Sequence, residues 1–362
     1  MRIICKNCYS KNVIKKGERK KVFENIQLYW CKDCRKYFTL QKISNKTYPI
    51  RVIMYAISAY NLGNPLDKTA KLVNKRYKVN AKPSTIHSWI KEFEKICTYR
   101  RIREKTLKNY NPNEIIFEKQ FIHKQPYNFR YHKAKLNMFI NNYFKNIKDY
   151  IINIAENCPN ELFEQENYRS SELKFNDVNV KIFKKDNDAL KLAELALHCA
   201  KNNKERHNAL QDFMLINDSA TIACEVPVYL LKDEISKFKL FNEINLNYLT
   251  GHVDIIQSKF GKIYLLDYKP DASKENKQKV ISQLFSYALA LSLRTNVWLR
   301  NFRCAWFDQD NYFEFNPNEI IFKTENLDDN EKKKYFSDLS RDRYYTSKEF
   351  QISKNKEQGV LL

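Results

Sequence analysis

Residues 251–270 read GHVDIIQSKFGKIYLLDYKP. Asp254, Asp267 and Lys269 interrupt runs of Ile, Leu and Val that otherwise belong to buried strands. A buried carboxylate is costly unless it is paired, hydrogen-bonded or bound to a metal. A turn centred on Phe260 and Gly261 sets Asp254 across from Asp267 and His252 across from Lys269, with all four side chains on one face. Like charges directly opposed need a cation between them or a raised pKa, and a divalent ion is the simplest resolution. A register shift of one residue would undo this arrangement.

A second cluster is Cys5-x2-Cys8, followed after 22 residues by Cys31-x2-Cys34. Two such pairs suit a tetrahedral thiolate site for structural Zn2+, each pair supplying one knuckle. The sequence between them alternates enough to form short strands around a turn expected at Gly17. A segment of about 40 residues can hardly bury a core of its own, so the metal would supply much of its folding energy. Cys97, Cys158, Cys199, Cys224 and Cys304 are scattered among apolar neighbours and read as small core residues.

The elements that follow the cysteines are helical. Apolar spacing of three and four predicts helices from about Pro49 to Tyr60, from about Leu66 to Tyr77, and after Pro83 with Ser84 or Thr85 as its cap. Three helices, the last with a polar and basic face, fit a helix-turn-helix unit. On that reading Lys82, Thr85, His87, Ser88 and Lys91 meet DNA. A three-helix bundle with a solvated basic face is the bland alternative.

Charge supports the first reading. Residues 1–110 carry 27 Lys and Arg against 7 Asp and Glu, whereas the remaining 252 carry 37 against 35. A basic module joined to a nearly neutral one suggests a polyanion partner, most simply DNA. The five glycines are too dispersed to build a phosphate-cradling loop, which excludes most kinases, NTPases and dinucleotide-binding enzymes. No apolar run approaches a membrane span, and the N-terminus lacks the apolar core of a secretory signal, so no membrane partner and a cytoplasmic location are expected.

From Asp188 onward the order reads helix, strand (TIACEVPVYLL), strand (GHVDIIQ), strand (KIYLLDYK), helix (SKENKQKVISQLFSYALALSLRT) and strand (NVWLRNFRCAWF). That is an α/β arrangement with a mixed sheet inside an α+β multidomain chain. The expected segments are a zinc ribbon (1–44), a helix-turn-helix (45–105), a helical connector (106–187), a domain bearing the acidic hairpin (188–324) and a charged tail (325–362). His123 and His132 stand alone in the connector and read as structural or surface residues.

Two resemblances sharpen this reading. CKNCYSKNVIKKG, QLYWCKDCRKYF and STIHSWI resemble the DNA-binding front end of insertion-element transposases. GHVDII, LLDYKP and QLFSYALAL, with ERHNAL and CEVPV upstream, resemble the RecB-like branch of the PD-(D/E)xK nuclease superfamily over about residues 188–310. The second resemblance implies a restriction-endonuclease-like fold, with a mixed central sheet flanked by helices. It implies Asp254 and Asp267 as ligands of Mg2+ or Mn2+, with the carbonyl of Tyr268 added and His207 joining the shell. Lys269 would orient or help deprotonate the attacking water. Gln283 and Tyr287 match the branch's Q-x3-Y signature on one helix face, and Glu225 matches a strand acid of less certain role.

Asp267-Tyr268-Lys269 is the sole D-x-K in the chain. Val253 stands where the superfamily's name-giving proline precedes the acid. With Cys304 alone following the catalytic region, no iron–sulfur cluster is expected. The expected function is a metal-dependent DNA nuclease delivered by the ribbon and helix-turn-helix. A DNA-binding regulator with an inactive nuclease fold and a mobile-element protein are the rival readings. The sequence leaves oligomeric state open, a homodimer among the options.

Overall fold

The computed structural model describes residues 3–40, 46–97, 103, 109–138, 142–164, 169–173, 178–200, 202, 205–235 and 247–322. The charged tail at 325–362 lies outside them. The cysteine-rich segment is a three-stranded antiparallel sheet of β1 (Val13–Lys20), β2 (Asn25–Cys31) and β3 (Tyr37–Thr39). The turn expected at Gly17 lies elsewhere: the chain reverses at Lys21–Glu24, where the Lys21 N–H donates to the Glu24 carbonyl at 2.9 Å. Gly17 instead sits inside β1 with φ of 77°, where the pairing with β2 shifts. A left-handed glycine opens a bulge there and carries the strand past one unpaired residue.

Helices α1 (Ile50–Asn61), α2 (Leu66–Tyr77) and α3 (Pro83–Phe93) follow the expected spans closely. The cap of α3 differs from expectation: Lys82 holds that position, because Pro83 with its fixed φ opens the helix. Ile53, Met54 and Ile57 of α1 and Ile86, Trp89 and Phe93 of α3 are buried, as the helical spacing requires.

The segment expected to be a helical connector is largely something else. Residues β4 (Ile116–His123) and β5 (Gln125–His132) form an antiparallel hairpin turned at Lys124, whose φ is 65°. Phe117, Phe121 and His123 alternate on one face with a period of two, whereas the helical spacing that suggested a connector begins only after His132. The helix expected further on is present as α4 (Asn142–Glu156).

The hairpin extends an eight-stranded sheet. Its other strands are β7 (Phe183–Lys184), β8 (Thr221–Leu231), β9 (Tyr248–Lys259), β10 (Lys262–Tyr268), β11 (Phe302–Phe307) and β12 (Tyr312–Phe315). The order is β4-β5-β8-β9-β10-β11-β12-β7, and β6 (Val178–Asn179) pairs separately with β13 (Ile321–Phe322). Neighbours are antiparallel except β10 and β11, whose parallel pairing requires the crossover helix α7 (Lys277–Thr295). The long helix expected after Asp188, with a break near Asn202, is indeed interrupted there and forms α5 (Asp188–Leu197) and α6 (Arg206–Asn217). Between them Asn202 Oδ1 accepts the Glu205 N–H at 3.0 Å.

The sheet separates two apolar layers. Ile263 and Leu265 of β10 pack with α4 and α7, whereas Leu266 and Tyr268 pack with α5, α6 and the three N-terminal helices. Helices α1–α3 therefore share a core with the sheet instead of closing one of their own. Polar contacts reinforce that union: Asn217 at the end of α6 accepts from Asn61 Nδ2 at 2.9 Å and donates to Ser58 Oγ at 2.8 Å. The chain is thus α+β with a large mixed sheet and an N-terminal cluster of four cysteines. No helix among the described residues is long and apolar enough to cross a membrane.

Candidate metal centre

The β9–β10 register matches the turn geometry inferred from sequence. Lys262 pairs with Lys259, and the ladder runs to Leu266 opposite Ile255. The next position would set Asp267 opposite Asp254. There the pairing gives way, and Asp254 Oδ2 accepts the backbone N–H of Tyr268 at 3.1 Å. Tyr268, expected to contribute its carbonyl, meets the site through this amide.

Glu225 reaches the same point from β8. Cys224 pairs with Ile255 and Val226 with Val253, which brackets Glu225 beside Asp254. Glu225 has φ of 52°, a left-handed conformation that costs a non-glycine residue about 1–3 kcal/mol. Its consequence is visible in the core. Ala223 and Val226 lie on the α4/α7 side of the sheet while Cys224 lies on the other, so the in–out alternation slips by one at Glu225. The slip lets a carboxylate leave the ladder and turn into the site.

Helix α6 supplies the opposing groups. His207 Nε2 is 3.1 Å from Asp254 Oδ2 and 3.6 Å from Glu225 Oε1. One turn along, Gln211 Nε2 donates to Glu225 Oε1 at 2.7 Å, and its own Oε1 accepts from Arg130 Nη2 at 2.7 Å. Arg130 is buried in β5 and also pairs with Asp212. One side-chain oxygen or nitrogen from each of His207, Glu225 and Asp254 lies within 4.8 Å of the others, a spacing that one metal ion could bridge. Asp267 falls outside that trio, its Oδ2 held 2.8 Å from Lys269 Nζ. His207 Nε2 and Asp267 Oδ2 are both buried without a hydrogen bond of good geometry. Each instead meets an oppositely charged group, Asp254 for His207 and Lys269 for Asp267.

Asp254 faces His207 and Asp267 faces Lys269, and the repulsion expected across the hairpin is answered by a raised pKa at Asp267. Burial raises the Asp254 carboxyl, but the adjacent His207 imidazolium outweighs it and holds Asp254 well below the usual range. Burial and the Asp254 charge push Asp267 well up. Burial and the same Asp254 charge raise Glu225 to about 7. Burial disfavours the charged form of His207, yet Asp254 and Glu225 lift it to about 9.

A divalent ion must expel those protons to use these ligands. If the trio of His207, Glu225 and Asp254 holds the ion, affinity for Mn2+ should climb roughly tenfold per pH unit between about 7 and 9, where His207 alone of the three still holds its proton. It should climb more steeply below about 7, where Glu225 is protonated as well. Titration calorimetry in buffers of different ionisation heat measures both slope and proton release. A flat profile would remove His207 and Glu225 from the ligand set.

Gln283 and Tyr287 close the floor of the site from α7, with Gln283 Nε2 donating to the Tyr287 hydroxyl at 3.0 Å. Gly251 of β9 lies directly beneath: a Cβ there would sit 2.3 Å from Tyr287 Cε1. Gly251→Ala should thus shift Tyr287 and cost about 1–3 kcal/mol in urea unfolding, and an unchanged midpoint would refute this packing. Together these side chains line a cleft of about 890 Å3 that ends on Pro126, Tyr127 and Phe163.

Sequence reasoning assembled His207, Glu225, Asp254, Asp267, Lys269, Gln283 and Tyr287, and all seven line this cleft. It missed Gln211, Arg130 and Gly251. Gln211 was readable as the residue four after His207 on one helix face, whereas nothing local marks Arg130. His123, expected to stand alone, is buried with Nδ1 2.8 Å from His252 Nε2.

The four cysteines come together at the other end of the chain. Cys5 Sγ is 3.6 Å from Cys34 Sγ, and Cys8 Sγ is 3.6 Å from Cys31 Sγ. A tetrahedral ion with bonds of about 2.3 Å sets its thiolates roughly 3.8 Å apart. The knuckles match in detail. The Cys5 N–H donates to the Ser10 carbonyl and the Cys31 N–H to the Lys36 carbonyl, and Tyr9 and Arg35 both turn left-handed after the second cysteine. This cluster could bind zinc. On α3, Lys82, His87, Ser88 and Lys91 are exposed and Thr85 is half-buried, so one polar edge of the helix is free of the core.

No family model, curated protein or solved structure matches this chain.

Proposed function

We propose that the protein is a divalent-metal-dependent DNA nuclease, with its catalytic centre at His207, Glu225, Asp254, Asp267 and Lys269. The observation that carries this reading is the convergence of the His207–Glu225–Asp254 trio with the Asp267–Lys269 pair where β9 and β10 part. A divalent ion held by these ligands would neutralise phosphate charge and acidify water. Carboxylates favour Mg2+ or Mn2+, and an imidazole among them leans toward Mn2+.

The remaining roles fall to the chain itself. Lys269, fixed by Asp267, supplies positive charge beside the metal ligands, where charge grows on a phosphate under attack. Gln211 and Arg130 hold Glu225 in its strained position, and the Tyr268 amide fixes Asp254. Gln283 and Tyr287 shape the floor. The four-cysteine ribbon, with Zn2+, and the basic helices α1–α3 would hold DNA, consistent with 27 basic residues among the first 110.

The test is cleavage of supercoiled and linear duplex DNA by zinc-loaded protein in EDTA, Mg2+ or Mn2+. Nicking or shortening that requires the metal supports the proposal, and substrate preference separates endo- from exonuclease action. Retention of DNA with no cleavage in any metal would favour the DNA-binding regulator. Joined products would favour a mobile-element reaction.

A further inference from the structure

One wall of the cleft is aromatic and belongs to none of the roles above. The ring of Tyr127 lies on that of His252 with centroids 3.6 Å apart and planes 5° from parallel. The ring of His123 lies on Phe163 with centroids 4.1 Å apart and planes at 15°. The two stacks are joined by the contact between His123 Nδ1 and His252 Nε2 at 2.8 Å.

Their proton positions follow from the far end of the chain of contacts. Asn160 Oδ1 lies 3.0 Å from His123 Nε2 and accepts, so that nitrogen carries hydrogen and His123 Nδ1 must accept from His252. Burial lowers the pKa of both rings and keeps them neutral, and the contacts lock their orientation. Tyr127 is also fixed at its hydroxyl, which accepts from Gln125 Nε2 at 2.6 Å. Phe163, His123 and His252 are buried, whereas Tyr127 is half-buried and lines the cleft.

The stack stands beside the catalytic centre. His252 and Asp254 are two apart on β9, and the same cleft receives both Tyr127 and Lys269. Arg169 lines it too, its Nη2 tied to the His123 carbonyl at 3.0 Å. A rigid ring, backed on one face and held at its hydroxyl, next to a phosphate-directed centre, is the arrangement that holds an unpaired base by stacking. The cleft volume of about 890 Å3 is of the size that takes a small organic ligand. A paired base cannot offer its face to a side chain without leaving its stack.

We infer that Tyr127, backed by His252, is a stacking subsite for an unpaired nucleobase, and that the cleft takes single-stranded DNA. This rests on the nuclease reading for the phosphate end of the cleft. The base end is testable by itself.

The experiment uses full-length, zinc-loaded protein and single-stranded oligonucleotides bearing 2-aminopurine, in Ca2+ so that binding is read apart from cleavage. Stacking should quench the base fluorescence. Tyr127→Ala should weaken binding roughly 10- to 100-fold and abolish quenching, while Tyr127→Phe should retain both, since the ring face carries the contact. Failure to bind the single strand, absence of quenching, or quenching unchanged in Tyr127→Ala would each overturn the subsite. The parent reading fails separately. Quenching that depends on Tyr127 in a protein that cuts nothing in Mg2+ or Mn2+ keeps the subsite and refutes the nuclease. Cleavage of duplex DNA with no quenching keeps the nuclease and refutes the subsite.

Discussion

Asp254→Asn should lower metal-dependent cleavage at least ~10²- to 10³-fold while DNA is still retained by the N-terminal module. Asparagine preserves the size of the side chain and an oxygen to accept the Tyr268 N–H, so the hairpin keeps its geometry. What it removes is the charge that faces His207 at 3.1 Å and completes the trio of ligand atoms. The His207 pKa should fall back from about 9 as its nearest carboxylate disappears, and ring-proton NMR would follow that change. Asp267→Ala should be as damaging to cleavage, for a different reason. It strands Lys269 Nζ, which loses the carboxyl group at 2.8 Å and with it a fixed position. Some loss of stability is expected with Asp267→Ala, so thermal melting must accompany its assay; Asp254→Asn is the cleaner variant. Cleavage undiminished in both variants would rule out this centre as the site of chemistry.

Removal of zinc should unfold residues 3–40, an effect on the order of 10 kcal/mol for that segment. The reason lies in how little else holds it. Its buried apolar cluster is Cys5, Tyr29, Cys31 and Phe38, and burial of each side chain contributes about 1.5–3 kcal/mol. Ordering the backbone costs about 1–2 kcal/mol per residue, far more in total than four side chains return. Of the thiols, Cys5 is shifted toward the thiolate, whereas Cys8 and Cys34 are raised and must give up their protons to a metal. Burial opposes ionisation of Cys5, yet hydrogen bonds from the backbone at Asn7 and Cys8 bring it down to about 6. Cys31→Ser, or a strong chelator, should erase the amide protection of β1–β3 in hydrogen exchange and open the segment to proteolysis. The large sheet should melt as before, because its two cores contain no residue of the ribbon. Persistence of protection in β1–β3 without metal would show that the segment folds unaided.

The sequence by itself determined those parts in which neighbours along the chain set the geometry. The β9–β10 register followed from a two-residue turn and strict alternation, and the pairing from Lys259–Lys262 outward obeys it. The cysteine knuckles, the three front helices, β8 and α7 were equally local in origin. Tertiary structure decided which carboxylates lie within reach of a single ion. Strand alternation alone sets Asp254 against Asp267, but the left-handed backbone at Glu225 slips the β8 alternation and brings Glu225 into the trio while Asp267 goes to Lys269. Only the fold could place Arg130 behind Gln211 or join His123 to His252, because each pair is separated by 81 and 129 residues respectively. The edge hairpin β4–β5 was hidden for a related reason. Its Ile, Phe and Tyr residues and its period of two were legible as strands, but the helical spacing that follows it drew the whole segment into a helical reading. Its place at the sheet edge beside β8 came only with the fold.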